Sequence, residues 1–475
     1  MPDGHGVSPM LDVACRTTTP TPTVVWRTTS SMGGTPIPSG IFDGETIAGL
    51  RLALLPFGWQ NPGIDATAPV AASTTSEPSR HVLATIQNVM ELFDKHVTAP
   101  PAHGNERLHL RGMVGILLAA AYEPTVRSLR LIDDLSLLDQ VPALSGVPRV
   151  ARSTLSDAMA RFDPAALKPL IDAIQKQLPL LERFDPRTAE LTRKIIAGDG
   201  SWFNLAGNVV HAMQCRRGNT GRQCRVRLNL QLDVDGFFPT DFDVSGKDDG
   251  SEADAFQRKL QPDCIYLWDR NFVNFRFINA ILQKGSNFVL RLKKGVNFEV
   301  RQTHVLIEQD LLHEVRCDEV GVLSGPSDAG NIDARMCTSK PPTCSLRRVT
   351  IWDANRQSEV VLLTDLLDVP AHVVGLLYRL RWQIELFFRW LKVLANFRHL
   401  ISQSEHGITM QFYIAVMMTL LIHLRTGTRV SKYGLMWIEW TASGRASPQA
   451  MAEAMARHER ERQNAALRRS KKQVK

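Results

Sequence analysis

The sequence lacks the features that mark secreted, zinc-binding and membrane-spanning proteins. Its seven cysteines are odd in number and scattered, and no two of them form a Cys-x-x-Cys pair, so neither a disulfide framework nor a zinc site is predicted. The longest apolar runs, residues 113–122 and 412–422, are shorter than the roughly 20 residues that span a bilayer. The N-terminus has no basic start followed by an apolar block. We therefore expect a soluble protein of the reducing cytoplasm, with no membrane partner.

Size and charge leave several functions open. At 475 residues and 44% hydrophobic, the chain is long enough for two or three domains, or for one domain with a large insertion. Lysine and arginine number 56 against 48 aspartates and glutamates, which gives a formal net charge of +8. This excess favours a polyanionic partner such as nucleic acid without requiring one.

The first part of the chain changes character at about residue 80. Residues 1–80 are rich in Thr, Pro, Ser and Gly and have no periodicity, so we expect them to be disordered. Residues 81–190 contain apolar-periodic stretches separated by Pro or Gly, which predict an all-helical domain. One of its helices carries Arg152 and Arg161 near its ends. The domain either reads DNA in the manner of a helix-turn-helix or serves as a structural cap, and the sequence favours neither.

The central part predicts a mixed α/β core. A short β run ends in Asp199, flanked by two glycines that let the backbone turn, and two alternating segments then form a hairpin around Asp235 and Gly236. A buried strand delivers Asp269 at its C-terminal edge, and a helix and another strand complete a β-α-β unit. Residues 295–366 read as short strands, which predicts an all-β insertion.

Residues 371–400 predict one long helix, because no Gly or Pro follows its fifth residue. At roughly 100° per residue, four side chains fall within a wedge of about 60°; they are Tyr378, Arg381, Glu385 and Lys392. An ordinary i,i+4 ion pair between Arg381 and Glu385 would explain part of this pattern. An apolar helix and a basic tail follow, and the tail either contacts phosphates or is a solvated terminus.

Three acidic residues point to metal-dependent chemistry. If the first and fourth strands of the mixed sheet are neighbours, Asp199 and Asp269 emerge at one edge, where the helix that bears Glu385 can pack. Carboxylates without Cys or His partners suit Mg²⁺ or Mn²⁺. Two such ions about 4 Å apart serve phosphodiester hydrolysis and strand transfer. Either aspartate alone could be a turn or cap residue.

A family resemblance rests on these residues. The spacing Tyr378-x2-Arg381-x3-Glu385-x6-Lys392 resembles the Tyr-Arg-Glu-Lys helix of bacterial cut-and-paste transposases of the insertion-sequence-4 family. The sequences GDGSW at Asp199 and WDRNF at Asp269 resemble the first and second catalytic aspartates of that family. The resemblance covers roughly residues 105–425.

The resemblance implies a fold and a set of roles. The fold is α/β, with a ribonuclease-H-like mixed-sheet core, an all-β insertion and a preceding all-helical domain. Asp199, Asp269 and Glu385 would be catalytic and would bind two Mg²⁺ or Mn²⁺ ions, and three residues of the helix would hold DNA phosphates: Tyr378, Arg381 and Lys392. Trp352 and Trp382 are candidate wedges beside an extruded base, although core packing is preferred for both.

These interpretations give six segments and one leading function. The expected boundaries are 1–80 disordered, 81–190 helical, 191–294 and 367–430 for the two parts of the core, 295–366 for the insertion and 431–475 for a C-terminal helix and basic tail. The leading function is transposition, in which a homodimer cuts double-stranded DNA at terminal inverted repeats and joins the ends to target DNA in the cytoplasm. The alternatives are an end-binding protein without chemistry and a ribonuclease-H-like nuclease without strand transfer.

Overall fold

A computed structural model describes residues 79–473 of the chain, with gaps at 99, 102–103, 105, 124, 139–140, 180, 182, 206–211, 217–221, 247–248, 250, 325–339, 355, 395–399 and 443. The expected disorder of residues 1–80 therefore falls almost wholly outside the described residues, and it stays a prediction.

The described chain begins with helices, as the apolar periodicity predicts. They are α1 Ser79–His96, α2 Leu110–Tyr122, α3 Leu129–Leu135, α4 Pro142–Ser145, α5 Arg152–Arg161 and α6 Lys168–Gln175. Three of them, α2, α5 and α6, pack on one late helix, α12 (Glu405–Thr426). This helix is long and apolar enough to cross a membrane, but 89% of its apolar window is buried inside the protein. It acts as the central helix of a core that continues into the sheet.

A ten-stranded mixed sheet forms the centre of the molecule. Its strands are β1 Lys194–Leu205, β2 Met213–Arg216, β3 Arg222–Asp233, β4 Phe238–Ser245, β5 Cys264–Trp268, β6 Asn287–Arg291, β7 Phe298–Thr303, β8 Val315–Leu323, β9 Leu346–Asp353 and β10 Ser358–Thr364. The order is β2-β3-β1-β5-β6-β10-β9-β8-β7, and β4 also pairs with β3. The predicted hairpin is confirmed, since β3 and β4 pair in antiparallel fashion across Asp235 and Gly236.

The site prediction requires the first and fourth predicted strands of the core to be neighbours, and they are. They are β1 and β5, since the short strand β2 was not predicted; β1 and β5 pair in parallel, and β6 pairs in parallel with β5. Together with the antiparallel pairs β1–β3 and β3–β4, this gives the order β4-β3-β1-β5-β6. Three antiparallel strands followed by two parallel ones is the order that the ribonuclease-H-like prediction requires.

Helices cover both faces of this sheet. On one face lie α7 (Glu252–Gln257) and α8 (Phe275–Gln283), which share an aromatic core with β5 and β6. On the other lie α10 (Ala371–Leu380), α11 (Trp382–Arg389) and the helical layer around α12. Because β5, the middle of β6 and residues 195–198 of β1 are buried on both faces, these stretches carry apolar or small residues without interruption.

The segment expected as an all-β insertion, residues 295–366, joins the core sheet and is not purely β. Its strands β7 to β10 extend the core sheet, with β10 paired to β6. It also contains a short helix, α9 (Glu308–Leu312), whose Asp310 Oδ1 accepts hydrogen bonds from the His372 backbone N–H at 2.9 Å and from its Nδ1 at 2.8 Å. Pro370, the residue before α10, has no side-chain donor or acceptor. Asp310 therefore caps α10 from a distant part of the chain.

Arg347 on β9 fixes the approach to the same helix. Its side chain is 5% exposed and forms a bidentate pair with Asp318, with Nε to Oδ1 and Nη2 to Oδ2 both at 2.7 Å. Its Nη1 donates to the carbonyls of Leu366, at 3.3 Å, and of Leu367 and Val369. The loop before α10 is thus bound to a buried ion pair in the outer strands.

The long helix expected over residues 371–400 is divided. Arg381 stands between α10 and α11, where the hydrogen bonds shorten to an i→i−3 pattern, from the Arg381 N–H to the Tyr378 carbonyl and from the Ile384 N–H to the Arg381 carbonyl, both at 3.2 Å. After α11 the chain widens into a π-helical turn, Trp390–Leu394. Residues 395–399 lie outside the described part.

One buried histidine gives the helical core a dependence on pH. His423 of α12 is fully buried, and neither ring nitrogen has a hydrogen-bond partner among the described residues. Burial, together with the charge of Arg429, lowers its pKa to about 4. The unfolded chain binds a proton near pH 6.5 and the folded chain does not, so stability is lost as pH falls from about 6.5 towards 4.

We predict that His423→Leu flattens this dependence. Between pH 7 and pH 5 the wild type should lose about 2 kcal/mol of unfolding free energy that the variant keeps, because the group to be protonated on unfolding is gone. Urea unfolding of the full chain at both pH values measures the difference. His406→Leu, at an exposed position of the same helix, is the control and should behave as wild type. An unchanged pH dependence in His423→Leu would contradict the prediction.

Candidate active site

Asp199 and Asp269 follow corresponding points of two neighbouring strands. The parallel pairing of β1 and β5 has its last pair at Ala197 and Leu267, and each aspartate lies two residues further along its own strand. Their side chains interact electrostatically, since Asp269 contributes to raising the pKa of Asp199. The predicted convergence of the two aspartates at one sheet edge is thus present in the backbone register.

The prediction that the β run ends and turns at Asp199 is wrong. β1 continues to Leu205, and Asp199 lies in mid-strand, paired with Leu230 of β3. What ends at this point is the parallel neighbour, because β5 stops at Trp268. Asp199 is therefore carried by a continuous strand, just beyond the end of its parallel neighbour, rather than presented by a turn.

The flanking glycines serve close approach rather than a bend. A Cβ at Gly198 would lie 1.8 Å from Cζ3 of Trp268, a ring that is fully buried. A Cβ at Gly200 would lie 2.0 Å from Oε1 of Glu252. Neither glycine has a positive φ. The two glycines instead leave room on β1 for an indole ring on one side of Asp199 and a carboxylate on the other.

Arg381 connects the carboxylates of the sheet and the helix. Its Nη2 donates to Glu385 Oε1 at 2.7 Å, and its Nη1 lies 3.8 Å from Asp199 Oδ2. The guanidinium is 13% exposed. The i,i+4 ion pair is therefore real, but the same side chain also reaches the strand, so Glu385 and Asp199 face a shared cation.

Tyr378 and Lys392 lie at the two ends of this group. The Arg381 guanidinium carbon is 5.9 Å from the centre of the Tyr378 ring. Lys392, on the π-helical turn, donates from Nζ to Ser201 Oγ on β1 at 2.7 Å and lies 4.7 Å above the ring of Phe203. Four predicted helix residues thus line the side of β1 that carries Asp199.

Electrostatics set the charge state of Asp199. Burial raises its pKa to about 7, Arg381 lowers it, and the neighbouring Glu252 and Asp269 raise it further. The Gly200 N–H donates to its Oδ1 at 2.8 Å. Asp269 is held in a similar way, because its Oδ1 accepts from the Arg270 N–H at 2.6 Å. Carboxylates crowded in this manner repel one another unless a cation joins them.

Sequence reasoning missed Glu252. It is the first residue of α7, directly after the N-cap Ser251, and its Oε1 is buried without a hydrogen-bond partner among the described residues. Burial and the charge of Asp269 raise its pKa, and Arg227 lowers it. A helix start rich in acidic residues reads as ordinary capping in the sequence, so only the approach of Glu252 to Gly200 distinguishes it.

The site contains carboxylate oxygens, but they are not arranged as a metal-binding group. Within the described part of the chain, no three His, Cys, Asp or Glu side chains already lie close enough together to hold a metal ion. Arg381 bridges two of the carboxylates. Glu252 Oε1 is buried without a hydrogen-bond partner among the described residues, but it lies against Gly200, on the face of the sheet opposite to Arg381 and Glu385.

The two candidate tryptophans, Trp352 and Trp382, differ in their exposure. Trp382, for which core packing was preferred, is 43% exposed at the start of α11, so that interpretation is wrong for this residue. It lies on the outer side of the helix, next to Arg381, where the apolar face does not reach. Trp352 on β9 is half-buried.

A stretch of the chain that contains the candidate site is similar to a known protein family. Residues 190–421, from just before β1 into α12, match the family model described as "Transposase DDE domain". The match spans just under half of the chain. Its range contains every residue predicted for the site.

Two transposases resemble the chain in sequence. One is "Putative transposase y4zB" of Sinorhizobium fredii (strain NBRC 101917 / NGR234), 24% identical over 224 residues, or 47% of this chain and 59% of that protein. The other is "Probable transposase for insertion sequence element IS5377" of Geobacillus stearothermophilus, 22% identical over 287 residues, or 59% of this chain and 69% of that one. The matched region thus spans less than two thirds of the first relative.

One solved structure is also similar. It is the cryo-EM structure of the piggyBac transposase synaptic complex with hairpin DNA, at 10% sequence identity and a TM-score of 0.35, covering 80% of this chain and 82% of that one.

We predict that Gly198→Ala destabilises the fold. The added methyl group meets the buried Trp268 ring, so the loss should be about 1–3 kcal/mol or more. Thermal or urea unfolding measures it. Gly434→Ala in the helix Lys432–Ala442 is the matched control, because its nearest atom lies at 3.5 Å. That change should be neutral or mildly stabilising. Equal midpoints for the two variants would argue against the tight Trp268 contact.

Proposed function

We propose that the protein is a DNA transposase that cuts double-stranded DNA at the ends of its own insertion sequence and joins the freed ends to target DNA. The observation that carries the proposal is that Arg381 contacts both Asp199 and Glu385 and interacts electrostatically with Asp269, at the edge where parallel pairing of β1 and β5 ends. The family match over residues 190–421 and the two relatives named as transposases support the same function. Assignment to the insertion-sequence-4 family rests on the spacing of the helix residues alone.

The donor set fits a divalent cation. Carboxylate oxygens without sulfur or imidazole suit Mg²⁺ or Mn²⁺. Asp199, Asp269 and Glu385 would hold two such ions, as the resemblance implies. When bound, such ions activate an attacking oxygen and stabilise a leaving oxygen at phosphorus.

The helix residues would position the DNA. Arg381 can bind a phosphate through two parallel hydrogen bonds once it exchanges Asp199 or Glu385 for it. Burial raises the pKa of Tyr378, so its hydroxyl stays a hydrogen-bond donor at neutral pH. Lys392 adds a positive charge beside β1, where Ser201 now holds it. Exposed Trp382 is available to stack on an unpaired base.

A second surface suits the DNA duplex. A cleft of about 800 Å³ opens at the start of α5 and is bordered by Leu400 and Ile401, which follow the helix that carries Glu385. Its rim carries four exposed arginines: Arg127, Arg130, Arg149 and Arg152. The one acidic residue of the cleft, Asp133, is paired with Arg149 at 2.7 Å. This surface favours DNA binding over a purely structural role for the helical layer.

The complete assembly is part of the proposal. We expect a homodimer on DNA, because excision requires both ends of the element to be paired. The protein would act in the bacterial cytoplasm, on the nucleoid.

We predict that Glu385→Gln abolishes cleavage. With DNA that carries the inverted repeats bracketing the coding sequence, and with Mg²⁺ or Mn²⁺, the rate should fall by about 100-fold or more. Gel analysis of end-labelled DNA measures nicking and joining. Glu359→Gln, at an exposed position of β10, is the control and should cut normally.

Three other results of the cleavage experiment would each lead to a different conclusion. Equal nicking by wild type and Glu385→Gln would exclude these carboxylates as the catalytic group. Products that are hydrolysed but never joined to target would indicate a nuclease. Tight end binding by wild type, with no cleavage under any metal, would indicate an end-binding protein.

We also predict that the double change Arg130→Ala and Arg152→Ala weakens binding to DNA ends. The slope of log affinity against log salt should fall by about one for each phosphate contact that is lost. Fluorescence anisotropy at several salt concentrations measures both quantities. Arg276→Ala is the control, because Arg276 lies on α8, on the opposite face of the sheet. An unchanged slope in the double variant would remove the cleft from the DNA path.

A further inference from the structure

We propose that Arg225, at the base of the β2–β3 ribbon, binds a phosphate of double-stranded DNA outside the active site. The ribbon is the pairing of Met213–Arg216 with residues 222–225. The inference rests on the proposed function and adds a DNA contact to it. Arg225 belongs to neither the predicted acidic triad nor the Tyr-Arg-Glu-Lys helix.

The stretch of sequence that contains the ribbon carries charge of one sign. Between Asp199 and Asp233 there are five arginines and no Lys, Asp or Glu. The whole chain is much more balanced, with 48 acidic residues against 56 basic ones. A local excess of arginine without acidic neighbours in the sequence favours a polyanionic partner.

The ribbon extends beyond the last pair of β1 and β3. That pair is Leu205 with Cys224, whereas β3 begins at Arg222 and pairs there with β2. In the sheet order β2 is the end strand, with no further strand beside it among the described residues. Arg216 and Arg222 are partners in the register of the ribbon. Like charges at opposite positions are unfavourable by themselves, and a nearby polyanion relieves that cost.

Arg225 stacks on an aromatic ring where the ribbon adjoins β1. Its guanidinium carbon lies 4.1 Å from the centre of the Trp202 ring. Of the three guanidinium nitrogens, Nε alone is buried without a partner in the described structure, so the two terminal nitrogens face solvent. An arginine held over an indole ring keeps these N–H groups available for the paired hydrogen bonds that a phosphate accepts.

A second stacked arginine shows what Arg225 lacks. Arg348 on β9 lies 4.8 Å from the centre of the Phe298 ring, and its Nε also donates to Glu319 Oε2 at 2.7 Å. Arg225 has the ring but no carboxylate within 4.0 Å in the described part of the chain. The charge of Arg348 is thus neutralised within the protein, whereas the charge of Arg225 is left for a partner.

Arg227 adds to the positive charge beside Trp202 only in part. Its guanidinium carbon is 5.6 Å from the centre of that ring, and the residue is 9% exposed. Arg227 lowers the pKa of Glu252, so that carboxylate offsets some of its charge. The accessible positive charge at this position therefore comes mainly from Arg225.

The phosphate bound by Arg225 is not the one that meets the carboxylates. Trp202 follows Asp199 by three residues on β1, and side chains alternate between the faces of a strand, so the two side chains lie on opposite faces of the sheet. Arg225 stacks on the Trp202 side. It therefore holds a separate part of the DNA, either another stretch of the element end or the target.

Fluorescence anisotropy with the full-length protein tests the proposal. Two labelled duplexes of equal length are used, one with the inverted repeat of the element and one of unrelated sequence. Arg225→Gln removes the charge, so the slope of log affinity against log salt should fall by about one. Arg348→Gln, which changes a stacked arginine whose charge is already paired, is the matched control and should keep the wild-type slope. A loss with the inverted repeat alone identifies the element end, and an equal loss with both duplexes identifies any duplex, including target DNA.

Chemical modification tests the wild-type protein, so it does not depend on the folding of a variant. Phenylglyoxal reacts with accessible arginines, and mass spectrometry locates the modified residues. Arg225 should react in the free protein and be protected by bound duplex. Arg316, an exposed arginine on β8, should react equally in both states.

The results separate this inference from the proposed function. An unchanged salt slope in Arg225→Gln with a wild-type melting temperature, or full reactivity of Arg225 in the DNA complex, would show that the ribbon does not bind DNA. Its arginines would then only keep an exposed sheet edge from pairing with other chains, and cleavage by the wild type would leave the proposed function intact. If Arg225 is protected but the wild type cleaves no end-containing DNA with Mg²⁺ or Mn²⁺, the ribbon stands and the proposed function is wrong.

Discussion

The parallel pairing of β1 with β5 is the constraint on which the rest of the site depends. It fixes the register in which Asp199 and Asp269 follow the last pair, Ala197 and Leu267. The end of β5 also exposes one edge of β1, so that a helix can approach Asp199 from outside the sheet. The buried ring of Trp268 packs on β1 at the same level. Packing and chemistry are therefore determined by one pair of strands, and a slip of one residue would send one aspartate to the opposite face.

The positive charge of Arg381 offsets the negative charges of Asp199 and Glu385. Arg381 stands between Asp199 and Glu385, so the folded protein holds its carboxylates together before any substrate arrives. Burial raises the pKa of Asp199 to about 7 even though Arg381 lowers it. A cluster of buried charges makes the fold less stable than apolar packing would and favours the binding of cations. Functional sites commonly lower the stability of the fold in this way.

Much of this arrangement could be predicted from the sequence, because alternation and period identify the elements that carry it. The hairpin at Asp235, the buried strand before Asp269 and the helix with Glu385 are all present. The position of Glu252 could not be predicted, since its contact with Gly200 joins residues from separate elements. The glycines beside Asp199 were assigned to a turn, because the sequence does not reveal that a ring and a carboxylate approach the strand. The sequence also gave no sign that the outer strands would join the core sheet through β10 and β6.

The helix pair α10 and α11 is held at both ends by different parts of the sheet. Asp310 and the Arg347 ion pair fix its start to the outer strands, and Lys392 connects its far end to Ser201 of β1. Between these two contacts the helix pair spans about 30 Å, at 1.5 Å per residue. Arg381 lies where α10 and α11 meet. A movement of the outer strands relative to β1 would thus be absorbed at that division and would alter the separation of Glu385 from Asp199. The outer strands would in this way influence the spacing of the proposed catalytic carboxylates.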